Sequence, residues 1–78
     1  MHAARLSASP RLQRVLRVLR DGRAHSTLEL VMGAQVMAVS ACIAELRAHG
    51  AVIHCEQRAS ERGERRWFYT MTKEPDQA

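Results

Sequence analysis

The sequence predicts an α+β domain of three helices, a short first strand and a C-terminal two-stranded hairpin. Apolar residues repeat at helical spacing in three segments, and glycines separate these segments. Two alternating segments then flank a polar, glycine-containing loop at 59–65, as in a hairpin. The length of 78 residues fits one domain. We expect that domain at 9–73, between a flexible N-terminal tail at 1–8 and a solvated C-terminal tail at 74–78.

The first helix is predicted from its start signal and its apolar stripe. Ser9 suits the N-cap and Pro10 the first helical position, while Gly22 follows the last turn. The residues with the spacing of one buried face are Leu12, Val15, Leu16 and Leu19. Arginines recur every third position at Arg11, Arg14, Arg17 and Arg20, so they spread around the helix. A solvated outer face is the favoured interpretation of these arginines, and phosphate contact is the alternative.

The second helix is predicted to begin at a capping box. Ser26 and Glu29 have the S-x-x-E spacing in which each side chain bonds the other residue's backbone N–H. Leu28 and Val31 are expected to point inward. Gly33 is expected to end the helix and to supply the positive φ of the turn that follows.

The third helix is predicted over 36–49, with Gln35 in its N-cap region and Gly50 as its stop. Its inward stripe is Val36, Val39, Ile43 and Leu46. A very short strand is expected at 24–26, and the hairpin strands at 51–58 and 66–73. The first strand has Ile53 and Cys55 on one face, and the second has Trp67, Tyr69 and Met71 on one face with Phe68 and Thr70 on the other. We expect Trp67 to cover the core, and stacking on a base is the alternative.

Two helices joined by a few residues around a glycine form the helix-turn-helix pattern, whose second helix often enters the major groove of DNA. With the hairpin as a wing, residues 10–73 resemble the winged helix-turn-helix superfamily. The phrase VMAVSACIAELRAHGAVI is similar to a family of short helix-turn-helix proteins found in bacteriophages and prophages. The residues that fit its pattern are Met37, Val39, Ile43, Leu46, Arg47, Gly50 and Ile53. This chain departs from the pattern at Ala38 and Cys42, where related helices often carry arginine.

The resemblance implies a small protein that binds double-stranded DNA in transcription regulation or in phage or prophage control, with a homodimer lengthening the contacted site. On the third helix, the candidate DNA-binding residues are Gln35, Met37, Ser40, Ala41, Ala44 and Arg47, with Ala48 on the same outward face. In the wing they are Arg58, Arg62 and Arg65. Two alternatives stay open: the alanine-rich face could bind another helix, and Glu61 and Glu64 could pair with the wing arginines.

The charge is unevenly distributed along the chain. The net charge of +4 favours a polyanionic partner only weakly. Six arginines and one aspartate give 1–25 a charge of +5, one arginine and three glutamates give 26–56 a charge of −2, and the remainder carries +1. The positive charge therefore lies on the first helix and its flanks, and the predicted reading unit is slightly acidic.

Several function classes lack support in the sequence. No nucleophile, base and orienting group occur at useful spacing, and no glycine-rich phosphate loop is present, so we expect no enzyme and no small-molecule substrate. Cys42 and Cys55 have no clustered ligands, so we expect free, buried thiols and neither metal nor other cofactor. No apolar run approaches a membrane span, and the first residues lack the apolar region of a secretory signal, so we expect a cytoplasmic protein.

Overall fold

Three α-helices and a three-stranded antiparallel sheet form an α+β fold in the computed structural model, which describes residues 6–76. The helices are α1 (Pro10–Leu19), α2 (Thr27–Ala34) and α3 (Val39–Ala48), and the strands are β1 (His25–Ser26), β2 (Val52–Ala59) and β3 (Arg65–Lys73). The strand order is β1-β3-β2, so β3 is central. The predicted fold class, helix count and short first strand are confirmed at this level.

The core lies between the helices and one face of the sheet. The apolar stripe predicted for α1 is fully buried, and the stripe predicted from Val36 to Leu46 is also buried. Ser9 accepts a hydrogen bond from the Leu12 N–H at 3.3 Å, which confirms the N-cap ahead of Pro10. Cys42 joins the α3 stripe with no exposed surface, and Tyr69 and Met71 of β3 are buried in the same core.

The two predicted tails are shorter than expected. Leu6–Ala8 forms a 3-10 turn in which Leu6 is fully buried, so 6–8 belongs to the folded domain. Pro75 is also buried, and the Asp76 N–H donates to the carbonyl of His49 at 2.8 Å. Burial of these two apolar side chains offsets the cost of ordering the flanking backbone. The remaining tail positions, 1–5 and 77–78, lie outside the described residues.

The start of α2 confirms the capping box, but the inward face of this helix differs from the prediction. The Glu29 N–H donates to the Ser26 hydroxyl at 3.1 Å, and the Ser26 N–H donates to the Glu29 carboxylate. Leu28 is 55% exposed, whereas Leu30 and Ala34 are fully buried. The prediction for Leu28 was therefore wrong; Val31 is half-buried against the core. The helix has only eight residues, most of them apolar, so no polar stripe fixes its orientation.

The turn between α2 and α3 also differs from the prediction. Gly33 lies inside α2 and does not supply the positive φ of the turn; a Cβ there would make only ordinary contact with Val18 of α1, at 3.5 Å. Gln35 takes the left-handed conformation with φ 54° and ends α2, so it is not the N-cap of α3. That position belongs to Ala38, which provides no side-chain hydrogen bond. Helix α3 therefore begins later than the predicted 36–49 because Gln35 and its neighbours form the turn.

The hairpin confirms the predicted alternation and corrects the position of Trp67. Strands β2 and β3 pair from Val52 opposite Lys73 to Ala59 opposite Arg65. Trp67 is on the same strand face as the buried Tyr69, yet it is 49% exposed. The molecule measures 40 × 23 × 22 Å, and the three residues of each hairpin strand nearest the loop are exposed. The prediction that Trp67 covers the core was therefore wrong.

Among residues 6–76, no single helix is both long and apolar enough to cross a membrane. Helices α2 and α3 have sufficient length and apolar character only when taken together, and the pair is bent by 86°.

Candidate nucleic-acid interface

The outward face of α3 is open to solvent. Its exposed residues are Ser40, Ala41, Ala44, Arg47 and Ala48, and Met37 in the preceding turn is 92% exposed. Because the serine and alanine side chains are short, the helix backbone could come close to DNA bases or to a partner helix on this face. The hairpin of this chain does not cover the face. The predicted inward stripe of α3 is therefore buried and its predicted outward face exposed.

Arg47 is fixed to the protein itself. Its guanidinium Nη2 donates to the carbonyl of Ile53 at 2.7 Å, which connects the end of α3 to the start of β2. Gln35, predicted at the start of the same helix, is exposed but occupies the left-handed turn. Arg47 is therefore on α3 with its guanidinium already bound within the chain, whereas Gln35 lies before the helix.

The wing arginines are distributed over both faces of the hairpin. A depression of about 490 Å³ is lined by Arg58, Arg62, Arg66 and Phe68, together with residues of the loop. Arg65 belongs to the alternate face, where it lines a second groove with Trp67. The three predicted wing arginines are thus divided: Arg62 lies with Arg58, Arg66 and Phe68, and Arg65 lines the other groove. Cross-strand register brings Arg58 opposite Arg66, and register was the missing information.

Carboxylates neutralise two of the wing arginines. Arg58 donates from Nε to Glu56 at 2.7 Å, and its guanidinium lies 5.0 Å from the centre of the Phe68 ring. Arg66 pairs with Glu64 at 3.3 Å. Local pairing is therefore the outcome for these two arginines, although the partner of Arg58 precedes it on β2. Arg62 and Arg65 are exposed and form no ion pair within residues 6–76.

Three of the four arginines predicted on the first helix contact other parts of the chain. Arg11 pairs with Glu45 of α3, and Arg14 donates from Nε to the carbonyl of Ala34 at 2.8 Å. Arg20 pairs with Glu74 at 2.9 Å. The interpretation of this set as only a solvated face is therefore wrong for Arg11 and Arg14. Arg17 is exposed and has no hydrogen-bond or ion-pair partner in the described part.

The cysteines do not provide a second site. Cys42 is fully buried, and burial raises the pKa of its thiol even though the Arg11 guanidinium nearby opposes this rise. Its thiolate is therefore scarce at neutral pH, and a buried thiol is poorly reactive. Cys55 is only half-buried, which corrects the expectation that both thiols are buried, and both cysteines are free. Among the described residues, no three His, Cys, Asp or Glu side chains cluster to hold a metal ion.

A titratable cluster joins the start of α2 to the preceding turn. The His25 ring lies 2.8 Å from Asp21 through Nε2 and 3.1 Å from Glu29 through Nδ1. Partial burial lowers the pKa of His25, but hydrogen bonds and charge attraction from both carboxylates outweigh burial and raise it overall. The pKa of Asp21 is lowered by a hydrogen bond from the Arg23 backbone N–H and then by His25. The pKa of Glu29 is lowered by a hydrogen bond from the Ser26 backbone N–H and then by His25.

We expect this cluster to make folding most favourable at mildly acid pH. The His25 contribution is complete below its ordinary pKa of about 6.5 and is lost as pH rises through the raised value. The carboxylate contributions are complete above about pH 4.3 and are lost as pH falls through the lowered values. Urea unfolding at about pH 5.5 and about pH 8 should show this difference, and His25→Gln should reduce it. His54→Gln, on exposed β2, is the control; an equal effect would refute the assignment.

Comparison with known proteins gives no relative: no family model, no curated protein and no solved structure matches this chain.

Proposed function

We propose that this chain is a winged helix-turn-helix protein that binds double-stranded DNA in transcription regulation or in phage or prophage control. Helices α2 and α3 are joined by four residues and bent by 86°. A short turn and a crossing near 90° are typical of the helix-turn-helix motif. The hairpin that follows α3 takes the position of the wing in the chain order. The observation that carries the proposal is the open, low outward face of α3.

Helix α3 enters the major groove in this proposal. Methyl groups of Ala41, Ala44 and Ala48 suit apolar contact with thymine methyl groups, while Ser40 offers a hydroxyl to base edges. Gln35 and Met37 border the same face from the turn. Because Arg47 is held by Ile53, the helix lacks a free guanidinium for guanine. We therefore expect modest base discrimination.

Phosphate contacts supply most of the affinity in this proposal. Arg62 at the hairpin loop and Arg65 at the start of β3 have no carboxylate partner in the described chain, so they are available to phosphates on either side of a minor groove. Arg58 joins them only if its contact with Glu56 opens. Few free cations imply weak binding, with a slope of log K against log salt of about −0.9 for each phosphate contact.

Arg62→Ala should weaken binding to random-sequence duplex DNA and reduce the slope of log K against log salt by about 0.9. Fluorescence anisotropy over a salt series measures both quantities. Arg20→Ala is the matched control, since that arginine is already paired with Glu74. Equal slopes for the two variants would remove Arg62 from the interface. Absence of binding by the parent protein at low salt would contradict the proposed function.

A protein-interaction module is the second candidate function. The observation that favours it is the uncharged face of α3, where the one arginine is already bound within the chain. Small side chains on that face would let a second helix pack closely, in a homodimer or against another protein. Sedimentation with Ala44→Glu tests this candidate: loss of a dimer together with absent DNA binding would favour it over the proposed function.

A further inference from the structure

Strand β3 has an edge that its neighbours leave open. Strand β1 pairs with β3 only at Phe68 and Tyr69, because the chain turns into α2 immediately after Ser26. On that side the residues 65–67 have no strand partner in the described chain, whereas β2 pairs with them on the other side. An unpaired strand edge presents N–H and C=O groups that another extended segment can use.

An apolar groove lies beside this open edge. Leu28 and Val31 of α2 and Trp67 of β3 line a groove of about 480 Å³, which also includes Ser26 and Thr27. Leu28 is 55% and Trp67 49% exposed, and Met32, one helical turn after Leu28, is 72% exposed. These are three of the five large apolar side chains that remain exposed in the described chain. Their clustering distinguishes the groove from scattered surface residues.

The charge beside the groove is positive. Arg65 lies on the same strand face as Trp67, and Arg66 borders the groove from the alternate face, where it also lines the depression beside Phe68. Arg65 has no carboxylate partner among residues 6–76, and the contact of Arg66 with Glu64 is long and exposed, at 3.3 Å. Such a surface pair contributes little and can be exchanged for another carboxylate. The complementary occupant is therefore acidic, and the aliphatic side chains of Leu28 and Val31 require it to be apolar as well.

We propose that this groove binds an extended acidic segment of another protein. The segment pairs with β3 at residues 65–67, on the edge that β1 leaves open. The added strand bonds to the main chain of 65–67. Its residue opposite Trp67 directs a bulky apolar side chain toward Leu28, because paired residues share a sheet face. Acidic residues of the segment meet Arg65, and Arg66 adds positive charge at the border of the groove. Main-chain bonds then provide affinity, and the groove provides specificity, as in other cases of strand addition. A nucleic-acid base stacked on Trp67 would use neither the open edge nor the aliphatic wall.

Trp67 provides a direct assay because it is the only tryptophan of the chain. The probe is a capped heptapeptide of alternating Glu and Val with a central Leu. The first control replaces every Glu with Lys, and the second places Pro beside the Leu to prevent strand pairing. We expect the acidic peptide to shift Trp67 emission to shorter wavelength, with saturation and a Kd of about 10⁻⁵ to 10⁻³ M. Neither control peptide should saturate in this range.

Three variants test the assignment of residues. Leu28→Gln should raise the Kd at least about tenfold, and Arg65→Gln should weaken binding and reduce its salt dependence. Val52→Gln is the matched control, because Val52 is 51% exposed and lies at the far end of the hairpin. Circular dichroism of each variant confirms folding before titration, and an unfolded Leu28 variant is replaced by Leu28→Thr.

Four results would overturn the proposal. They are an equal response to the acidic and lysine peptides, no saturation by the acidic peptide, a stronger Trp67 shift with oligothymidine, and a shift on concentrating the protein alone. The third result would assign the groove to base stacking, and the fourth to a second copy of the chain. Arg65 serves both proposals, but the peptide titration contains no DNA and the duplex titration contains no peptide, so each binding reaction can fail without the other.

Discussion

Leu46→Ala is expected to lower the free energy of unfolding by about 2–5 kcal/mol. Leu46 is fully buried on α3, and its carbonyl accepts hydrogen bonds from the N–H groups of His49 and Ala51 at the end of that helix. Truncation removes apolar contact and leaves a cavity that closely packed neighbours fill only partly. A domain of this length has a total stability of about 4–12 kcal/mol, so the loss is a large fraction of the whole.

Urea unfolding followed by circular dichroism measures the effect of Leu46→Ala. Leu28→Ala is the matched control: it removes the same atoms from a side chain that is 55% exposed, and we expect a change within about 0.5 kcal/mol. Similar losses for the two variants would contradict the inward placement of α3. That placement is required by both candidate functions, because it leaves the opposite face of the helix free.

Gly50→Ala should lower the free energy of unfolding by about 1–3 kcal/mol. Gly50 has φ +97°, which an L side chain rarely adopts, and its Cβ position is occupied by the Asp76 carboxylate. The new methyl group would displace Asp76 and disturb its N–H bond to His49. This substitution therefore strains the α3–β2 turn and loosens the segment that follows β3.

Gly33→Ala is the matched control for Gly50→Ala. Its Cβ would lie 3.5 Å from Val18 Cγ2, which is ordinary van der Waals contact, and the position is helical. Alanine there should stabilise the protein by about 0.5–1 kcal/mol. Repeating Gly50→Ala in an Asp76→Ala background separates the clash from the backbone strain, because only the clash is relieved. Equal stabilities of the Gly50 and Gly33 variants would refute this account.

Local signals predicted much of the fold. The Ser9–Pro10 start, the capping box at Ser26 and the glycine stop at Gly50 depend on neighbouring residues alone, and each is confirmed. The stripe of α1 extends over more than two turns, which is long enough to determine its buried face. In contrast, α2 is short and largely apolar, so only packing against α1 decides that Leu30 faces inward and Leu28 outward.

The exposed residues of the candidate site could be predicted from the sequence, but the ion pairs of its arginines could not. Helical spacing identified the open residues of α3, such as Ala41 and Ala44. The pairing of Arg11 with Glu45 joins residues 34 positions apart, so no local pattern contains it. Likewise, alternation assigned Trp67 to the core face of its strand, but it carries no information on where the helices cease to cover that strand.

The hairpin is anchored at one end only. Near the core, buried apolar residues lie opposite each other, such as Ile53 and Met71. Farther out, Arg58 lies opposite Arg66, and each arginine forms an ion pair with a nearby glutamate. Electrostatic contacts at the surface weaken as ionic strength rises, and apolar packing does not. We therefore expect the outer half of the hairpin to become more mobile as the salt concentration rises, while the half packed on the core keeps its conformation. A ligand bound to the outer half would then contact a hairpin whose rigidity depends on ionic strength.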